Sequence, residues 1–296
     1  MNYVSAMLRR QPLLRHLVLL GSLAIVALPV HGQEQTRAPG RIISLVPAVT
    51  EMLFAVGAGP RVIGVSSFDH FPPEVERLER VGALLDPNVE RILALRPDLV
   101  VVYRSQTDLI AQLGRAQIPT FVYGHAGLAD VTSTLRDVGA RAGAAARAST
   151  LASDIERRID VVRKRFAAGP RPKTLVVIAR DAFALRGIYA SGGAGFIQDM
   201  IVAAGGDNVF GDTRRQAVQA TSELIITRAP EIILELRGDP IDAATQAKEL
   251  RTWDTLASLP AVRNKRVHII ADARTVIPGP RVAEAVELLA GAIHNE

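Results

Sequence analysis

Two glutamates occupy the same position in a motif that the chain contains twice. One copy is residues 90–101, ERILALRPDLVV, and the other is residues 223–234, ELIITRAPEIIL. In each copy the glutamate, Glu90 or Glu223, precedes apolar residues, a proline, an acidic residue and a β-branched run. This order predicts a short helix that ends at the proline and a buried strand that follows it. Two similar lobes that each present a carboxylate could form ion pairs with a symmetric partner.

Three further side chains have the types of metal ligands. His70 and His125 come just after predicted strands, and Asp272 follows the last predicted strand. Imidazole and carboxylate groups bind divalent metals, so these residues form one candidate metal site. The alternative is that each is an ordinary loop residue, with Asp272 capping a helix, because no histidine-rich loop accompanies them. Our main hypothesis therefore includes no metal ligand.

No arrangement of residues typical of an enzyme occurs in the chain. The segment 191–195, SGGAG, resembles a phosphate-binding loop but lacks the order of glycine, lysine and serine that such a loop needs. The chain also has no Gly-x-Ser-x-Gly elbow, His-Glu-x-x-His motif or Ser-x-x-Lys motif. We therefore expect no catalytic residues and predict that the protein is not an enzyme.

Size and composition favour a globular protein of two domains. The chain has 296 residues, of which 48% are hydrophobic and 22% charged, as in an ordinary globular protein of this size. The formal net charge is +5, and no basic stripe is interleaved with aromatic residues, so nucleic acid is not an expected partner. The absence of cysteine excludes disulfides, thiolate metal sites and a lipidated N-terminal cysteine.

The first 32 residues have the layout of a secretory signal peptide. Arg9, Arg10 and Arg15 precede the apolar run 17–28, and the small residues of VHG at 30–32 predict cleavage before Gln33. The apolar run is shorter than the roughly 20 residues of a membrane span, although an uncleaved anchor is the alternative. We therefore predict a soluble protein exported to the periplasm.

Strand and helix patterns alternate along the rest of the chain, which predicts an α/β protein of two lobes. The N-terminal lobe is assigned to residues 41–143 and the C-terminal lobe to residues 170–296. Between them, residues 144–168 contain no glycine or proline and repeat apolar side chains at helical spacing. One long connecting helix is therefore predicted within residues 144–169, where a Gly-Pro pair ends it.

Several separated segments, in this order, resemble the periplasmic binding proteins of iron-chelate and cobalamin uptake systems. They are residues 41–51 (RIISLVPAVTE), 63–66 (IGVS), 71–73 (FPP), 80–82 (RVG), 90–100, 190–193 (ASGG), 205–210 (GGDNVF) and 280–281 (PR). The similarity extends from about residue 41 to the C-terminus and is greatest to the cobalamin-binding members. It implies two Rossmann-like lobes with mostly parallel sheets, joined by a single long helix, with a ligand cleft between the lobes.

The resemblance implies an exported receptor that captures a corrinoid or a related metal chelate and delivers it to an ABC importer. In the cobalamin-binding members, one glutamate on each lobe docks on arginines of the permease dimer, and these positions fall on Glu90 and Glu223. The expected partners are therefore the permease dimer and a small-molecule ligand, the protein itself being a monomer without a cofactor. The alternative for both glutamates is a favourable interaction with the helix dipole alone.

The resemblance also places the ligand-binding side chains, in loops that follow the strands. Phe71 falls where the cobalamin-binding members have a tyrosine, Tyr103 where they have a tryptophan, and Tyr189 near an aromatic residue of their C-terminal lobe. Asp272 falls close to an aspartate that touches corrin amides, and Arg104 could pair with a ligand carboxylate. Further polar candidates for the rim of the cleft are Asp69, Arg186 and Arg281.

The chain departs from this family pattern in ways that leave the ligand open. Two tryptophans of the cobalamin-binding members fall near Leu84 and Ala217, so part of the aromatic cage is missing. Haem-binding members carry a ligating tyrosine where this chain has Phe71, which has no donor atom. The alternatives are haem, a ferric siderophore, or a divalent metal bound directly by a receptor or by a sensor without an importer. The single tryptophan, Trp253, is predicted to pack in the core.

Overall fold

Two β-sheets, one in each half of the chain, form the framework of the protein. The structure is a computed structural model that describes residues 38–295. The predicted signal peptide, residues 1–32, lies outside the described residues. Both sheets belong to one compact unit. No helix between residues 38 and 295 is both long enough and apolar enough to cross a membrane.

The first sheet is entirely parallel and forms the N-terminal lobe. Its strands are β1 (Ile42–Ser44), β2 (Val62–Val65), β3 (Glu79–Arg80), β4 (Leu99–Tyr103) and β5 (Thr120–Tyr123). They lie in the order β3-β2-β1-β4-β5. The helices of this lobe are α1 (Pro47–Ala55), α2 (Val89–Ala94), α3 (Thr107–Arg115) and α4 (Ala129–Arg141). The sequence pattern predicts strands at 41–46, 61–66, 99–103 and 120–123 and helices at 50–56, 89–95 and 108–116. All seven are confirmed, with bounds that shift by up to three residues, whereas β3 and α4 are not predicted.

The second sheet is mixed. Its strands are β6 (Lys173–Ala179), β7 (Ile188–Ser191), β8 (Asp207–Asn208), β9 (Ala217–Ala220), β10 (Ile232–Arg237) and β11 (Val267–Ala271). They lie in the order β11-β10-β6-β7-β9, and β8 also pairs with β6. The strands predicted from sequence at 174–179, 232–236 and 267–271 correspond to β6, β10 and β11, which run parallel, but β7 runs antiparallel to both β6 and β9. The helices of this lobe are α6 (Phe196–Ala203), α7 (Ser222–Arg228), α8 (Ala243–Thr252), α9 (Pro260–Arg263) and α10 (Val282–His294).

A single long helix, α5 (Ala145–Arg165), connects the two lobes, as predicted. It has 21 residues and is therefore about 32 Å long at 1.5 Å per residue. It ends before the predicted limit at residue 169, and the next residue, Phe166, stacks its ring on His294 with the ring centroids 3.8 Å apart. The preceding helix α4 packs closely along α5. The two helices approach so closely that a methyl group added at Gly139 would overlap the Cβ atom of Ala148.

The lobes share one apolar core. Its buried side chains come from α1 and α4 on the N-terminal side, from α5, and from α6 and α10 on the C-terminal side. Two smaller apolar clusters lie within the individual lobes, and Trp253 is fully buried in the one of the C-terminal lobe, as predicted. Because the shared core is packed across the connection, the lobes resist large movements relative to each other.

The duplicated motif has the same structure in both lobes. The residue before the proline, Arg96 or Ala229, adopts a left-handed backbone with φ of 46° or 48° and redirects the chain from the helix into the strand. The acidic residue after the proline then holds the start of the neighbouring strand. Asp98 accepts hydrogen bonds from two backbone N–H groups just before β1, and Glu231 accepts one from the N–H of Lys173 in β6.

Candidate functional site

A pocket of about 630 Å³ lies between the two lobes. The N-terminal lobe contributes the start of α1 and the loop that follows β2, and the C-terminal lobe contributes the ends of β10 and β11 and the approach to α10. The lining residues are Pro47, Glu51, Phe68, His70, Phe71, Gly238, Asp239, Pro240, Ala271, Asp272, Ala273, Ile277 and Arg281. Loops at the carboxyl ends of parallel strands meet at one edge of each sheet, which is where α/β proteins place ligands.

Two phenylalanines give the pocket an apolar wall. Phe68 and Phe71 are 67% and 41% exposed, although phenylalanine is usually buried. The guanidinium of Arg281, from the opposite lobe, lies 3.8 Å from the ring centroid of Phe71, within the range of a cation–π contact. Phe71 was predicted from the family resemblance, whereas Phe68 was not, because nothing in the sequence pattern shows that an aromatic residue of this loop stays exposed.

A buried ion pair holds Arg281 in place and joins the lobes. Its Nε and Nη2 atoms donate to the two carboxylate oxygens of Glu51 over 2.9 Å and 2.6 Å. Glu51 lies in α1 with only 2% of its side chain exposed, and the side chain of Arg281 is 20% exposed. Burial raises the pKa of the Glu51 carboxyl above its ordinary value of 4.5, and the bonds from Arg281 act in the opposite direction. No local sequence pattern indicates that Glu51 is the partner of Arg281, which lies 230 positions away.

Asp272 lines the pocket, but its carboxylate is already hydrogen-bonded to a neighbouring arginine. Its carboxylate accepts several hydrogen bonds from Arg274, both from the backbone N–H and from the guanidinium. Arg274 also donates to Glu284 over 2.8 Å. The bonds from Arg274 lower the pKa of Asp272, so this carboxylate is ionised and neutralised within the protein.

A second pocket, of about 550 Å³, adjoins the first and shares Gly238 and Asp239 with it. Its wall contains Arg180 and Glu235, whose side chains are 1% and 2% exposed. These two belong to a four-charge cluster with Arg237 and the buried Glu249, in which each arginine contacts both carboxylates. Glu235 additionally accepts a hydrogen bond from the indole N–H of Trp253 over 2.6 Å.

Three predicted ligand-binding residues do not line either pocket. Tyr103 ends β4 and contacts the ring of Tyr123 edge to face at 5.9 Å, and burial raises the pKa of its hydroxyl. Arg104 is exposed, and its backbone N–H donates to the carbonyl of Tyr123. Tyr189 is 45% exposed and lies in β7 opposite Gln219 of β9.

The candidate metal ligands are not assembled. His70 lines the pocket and lies 3.2 Å from the carboxylate of Glu76. His125 contacts Tyr123 and Phe196 instead, and burial lowers its pKa. Within residues 38–295, no group of three or more histidine, aspartate or glutamate side chains is arranged to hold a metal ion. The structure therefore does not bring His70, His125 and Asp272 together as one site.

Of the other polar candidates, only Arg281 lines the cleft. Asp69 is buried and accepts hydrogen bonds from the backbone N–H and the hydroxyl of Ser66, and burial raises its pKa. Arg186 is 81% exposed and lies 3.9 Å from Asp181.

Glu90 and Glu223 have matching positions, one on each lobe. Each is exposed and is the second residue of a short helix, α2 or α7. Each helix has a side-chain cap, in which Asn88 or Thr221 accepts a hydrogen bond from a backbone N–H in the first turn. Neither glutamate is among the residues that line the two pockets described above.

A model of the family described as "Periplasmic binding protein" matches residues 42–273, which span both sheets and the cleft between them. The chain belongs to this periplasmic binding protein family. The match covers the motif copies, the connecting helix and every segment that contributes to the two pockets except α10 and its approach.

Curated relatives and solved structures agree with the family. This periplasmic binding protein is 28% identical over 268 residues to an uncharacterized ABC transporter substrate-binding lipoprotein of Bacillus subtilis, YvrC, covering 88% of this chain and 82% of the relative. It is 29% identical over 228 residues to a vitamin B12-binding protein of Yersinia pseudotuberculosis, covering 75% and 76%. The apo structure of the periplasmic heme-binding protein RhuT from Roseiflexus has a TM-score of 0.74 at 26% identity, covering 86% of this chain and 98% of that one.

Proposed function

We propose that this protein is an exported receptor that captures a corrinoid in the cleft between its lobes and delivers it to an ABC importer. The pocket between the lobes is the observation on which the proposal rests. Its volume of about 630 Å³ lies within the range of small-molecule sites. The exposed rings of Phe68 and Phe71 provide apolar area for a flat macrocycle, and the polar groups around them can bind its substituents.

The relatives support a ligand of this kind and a role in transport. One is named a vitamin B12-binding protein, one a heme-binding protein and one an ABC transporter substrate-binding lipoprotein. Vitamin B12 and haem are both flat macrocycles that hold a metal ion. The signal-peptide pattern in residues 1–32 supports export to the periplasm.

Delivery would use the two matched glutamates. Glu90 and Glu223 are exposed, lie outside the pockets and occupy equivalent helices of the two lobes. Arginines of a two-fold symmetric permease could pair with both at once, which would orient the cleft towards the transport pathway. Predicted domain limits at 41–143, 144–169 and 170–296 place one glutamate on each side of the connecting helix.

Haem is the second candidate ligand. The similarity to the heme-binding RhuT covers 86% of the chain, and His70 places an imidazole in the wall of the pocket. An imidazole can serve as an axial ligand of haem iron.

The experiment titrates the purified mature protein with cyanocobalamin, cobinamide, haem and a ferric siderophore in separate runs. Binding is measured by isothermal titration calorimetry. We expect saturable 1:1 binding of a corrinoid and a rise in melting temperature in its presence. Phe71→Ala should weaken binding by about 1–3 kcal/mol, because apolar and aromatic contact area is lost. Phe183→Ala is the matched control, since Phe183 is 55% exposed and lines neither pocket.

Tight binding of haem alone would replace the corrinoid with the second candidate. Absence of binding by all four chelates would overturn the receptor proposal. Equal losses in the two phenylalanine variants would show that the ligand does not occupy this pocket.

A further inference from the structure

We propose that Asp239 is a specificity-determining residue that selects a chelate rimmed by N–H donors or bearing a positive charge, and rejects a chelate rimmed by carboxylates. This inference rests on the proposed function, because it names the ligand chemistry of the same cleft. The inference follows from the pairing of charges in the two pockets, where the Asp239 carboxylate has no partner and the other charged side chains do.

Asp239 lies where the two pockets meet. It follows β10, lines both the 630 Å³ pocket and the 550 Å³ pocket, and is exposed. Within residues 38–295 its carboxylate has no hydrogen bond and no ion pair. A ligand that spans the two pockets would therefore pass directly over a carboxylate that is free to accept hydrogen bonds.

All other ionised side chains that line the pockets already have partners of opposite charge. In the first pocket, Arg281 pairs with Glu51 and Asp272 pairs with Arg274. In the second, the two arginines and two glutamates of the four-charge cluster balance each other. His70, the remaining titratable group, lies against Glu76. Among the described side chains that line these two pockets, Asp239 is therefore the one ionised group without a partner of opposite charge.

Two of the three arginines that line the pockets, Arg281 and Arg237, still have donor atoms available. Arg281 uses Nε and Nη2 for Glu51, which leaves Nη1 without a partner among the described residues. Arg237 uses Nη2 for both buried carboxylates and is 28% exposed. A carbonyl oxygen can accept from such a donor without bringing a charge, whereas the positive charge that would attract a carboxylate is already neutralised.

A rim of primary amides carries both kinds of group that these side chains can bind. Its carbonyls can accept from an arginine and its NH₂ groups can donate to the carboxylate of Asp239, forming a charge-assisted hydrogen bond. A ligand carboxylate in the same place would lose its hydration next to a like charge, which is unfavourable. The cleft therefore favours an amide-rimmed or cationic chelate over a polycarboxylate one.

The test compares two corrins that share one ring and differ at the rim. Cobinamide carries amides and cobyrinic acid carries carboxylates, and haem, with two propionates, is the third probe. Dissociation constants are measured by calorimetry for the wild type, Asp239→Asn and Asp137→Asn. Asp137 is an exposed aspartate of α4 that lines neither pocket, so its variant removes the same formal charge elsewhere.

We expect the wild type to bind cobinamide at least about tenfold more tightly than cobyrinic acid. Asp239→Asn should reduce this ratio, because cobinamide binds more weakly and cobyrinic acid more tightly. Asp137→Asn should leave the ratio unchanged. Equal affinity of the wild type for the two corrins, or an unchanged ratio in Asp239→Asn, would overturn the inference. Preference for haem over cobinamide would overturn it while leaving a chelate receptor in place. Failure to bind any of the three probes would overturn it together with the proposed function.

Discussion

At the scale of single residues, burial decides what the charged groups of the cleft can do. Asp272 and Arg281 both look like free ligand-binding groups in the sequence, yet Asp272 is held by Arg274 and one edge of Arg281 is held by Glu51. The Glu51–Arg281 pair is nearly removed from water and connects α1 to the start of α10. Breaking such a pair leaves an uncompensated buried charge, which costs far more than the loss of a surface ion pair.

The pH dependence of an Arg281→Met variant tests this pair. Without the arginine, the already raised pKa of Glu51 rises further in the folded state. Between the ordinary pKa of 4.5 and this raised pKa, the carboxyl is protonated in the folded state and ionised in the unfolded state. The variant should therefore lose about 3–5 kcal/mol of unfolding free energy at pH 7.5, and the loss should shrink as the pH falls towards 4.5. Urea unfolding at a series of pH values provides the measurement.

A double variant, Glu51→Gln with Arg281→Met, is the control. It removes the titrating carboxyl, so its stability relative to the wild type at pH 7.5 should recover part of the loss. An equal deficit of Arg281→Met at pH 4.5 and pH 7.5 would show that lost packing, and not the unpaired charge, destabilises the variant.

At the scale of elements, the close approach of helices α4 and α5 limits which residue can occupy the position where they touch. Glycine usually disfavours a helix interior, and glycines at 127, 139 and 143 make the α4 segment look like a loop in the sequence. In the structure Gly139 lies where α4 meets α5 and leaves no space for a methyl group. The requirement of tertiary packing therefore outweighs the local preference, and the helix was not predicted.

Gly139→Ala should consequently destabilise the protein although alanine is the better helix former. We expect a loss of about 1–3 kcal/mol in unfolding free energy, because the two helices must separate to accept the added methyl group. Gly114→Ala in α3 is the matched control: nothing lies within 4 Å of the added methyl, so helix propensity alone should give a gain of up to about 1 kcal/mol. Chemical unfolding of both variants decides the matter, and a gain in both would contradict close packing at Gly139.

At the scale of the whole molecule, the shared core keeps the two lobes at a nearly fixed separation. Side chains of α1, α4, α5, α6 and α10 form one apolar cluster, and the Glu51–Arg281 pair crosses between the lobes as well. We therefore expect the distance between the two exposed glutamates to change little when the cleft is occupied. A rigid pair of charges suits recognition by a two-fold partner, since little conformational freedom is lost on docking.

The double variant Glu90→Ala with Glu223→Ala should therefore weaken docking on the permease complex at least about tenfold, with unchanged affinity for the chelate. Surface plasmon resonance with the permease in lipid nanodiscs measures the first quantity, and calorimetry the second. Glu74→Ala removes another exposed glutamate outside the pockets and should dock normally. Loss of chelate binding in the double variant, or an equal docking defect in Glu74→Ala, would contradict the assigned role.

The sequence by itself determined the alternation of strands and helices, the long connecting helix and the duplicated motif. These features are local: periodicity, proline and β-branched runs act within a few residues of each other, so they can be read without knowledge of the fold. The motif even repeats its internal contacts, since Asp98 and Glu231 both hold the start of the adjacent strand.

Only the tertiary structure decided which side chains share the cleft. Glu51 and Arg281 are 230 positions apart, and neither Phe68 nor Asp239 carries a sequence signal that separates it from other loop residues. Tyr103, Arg104 and Tyr189 follow or occupy strands as expected, but they are not among the residues that line the two described pockets. The physical reason is that exposure and pairing depend on contacts between distant segments, and a local pattern contains no information about which partners those segments meet.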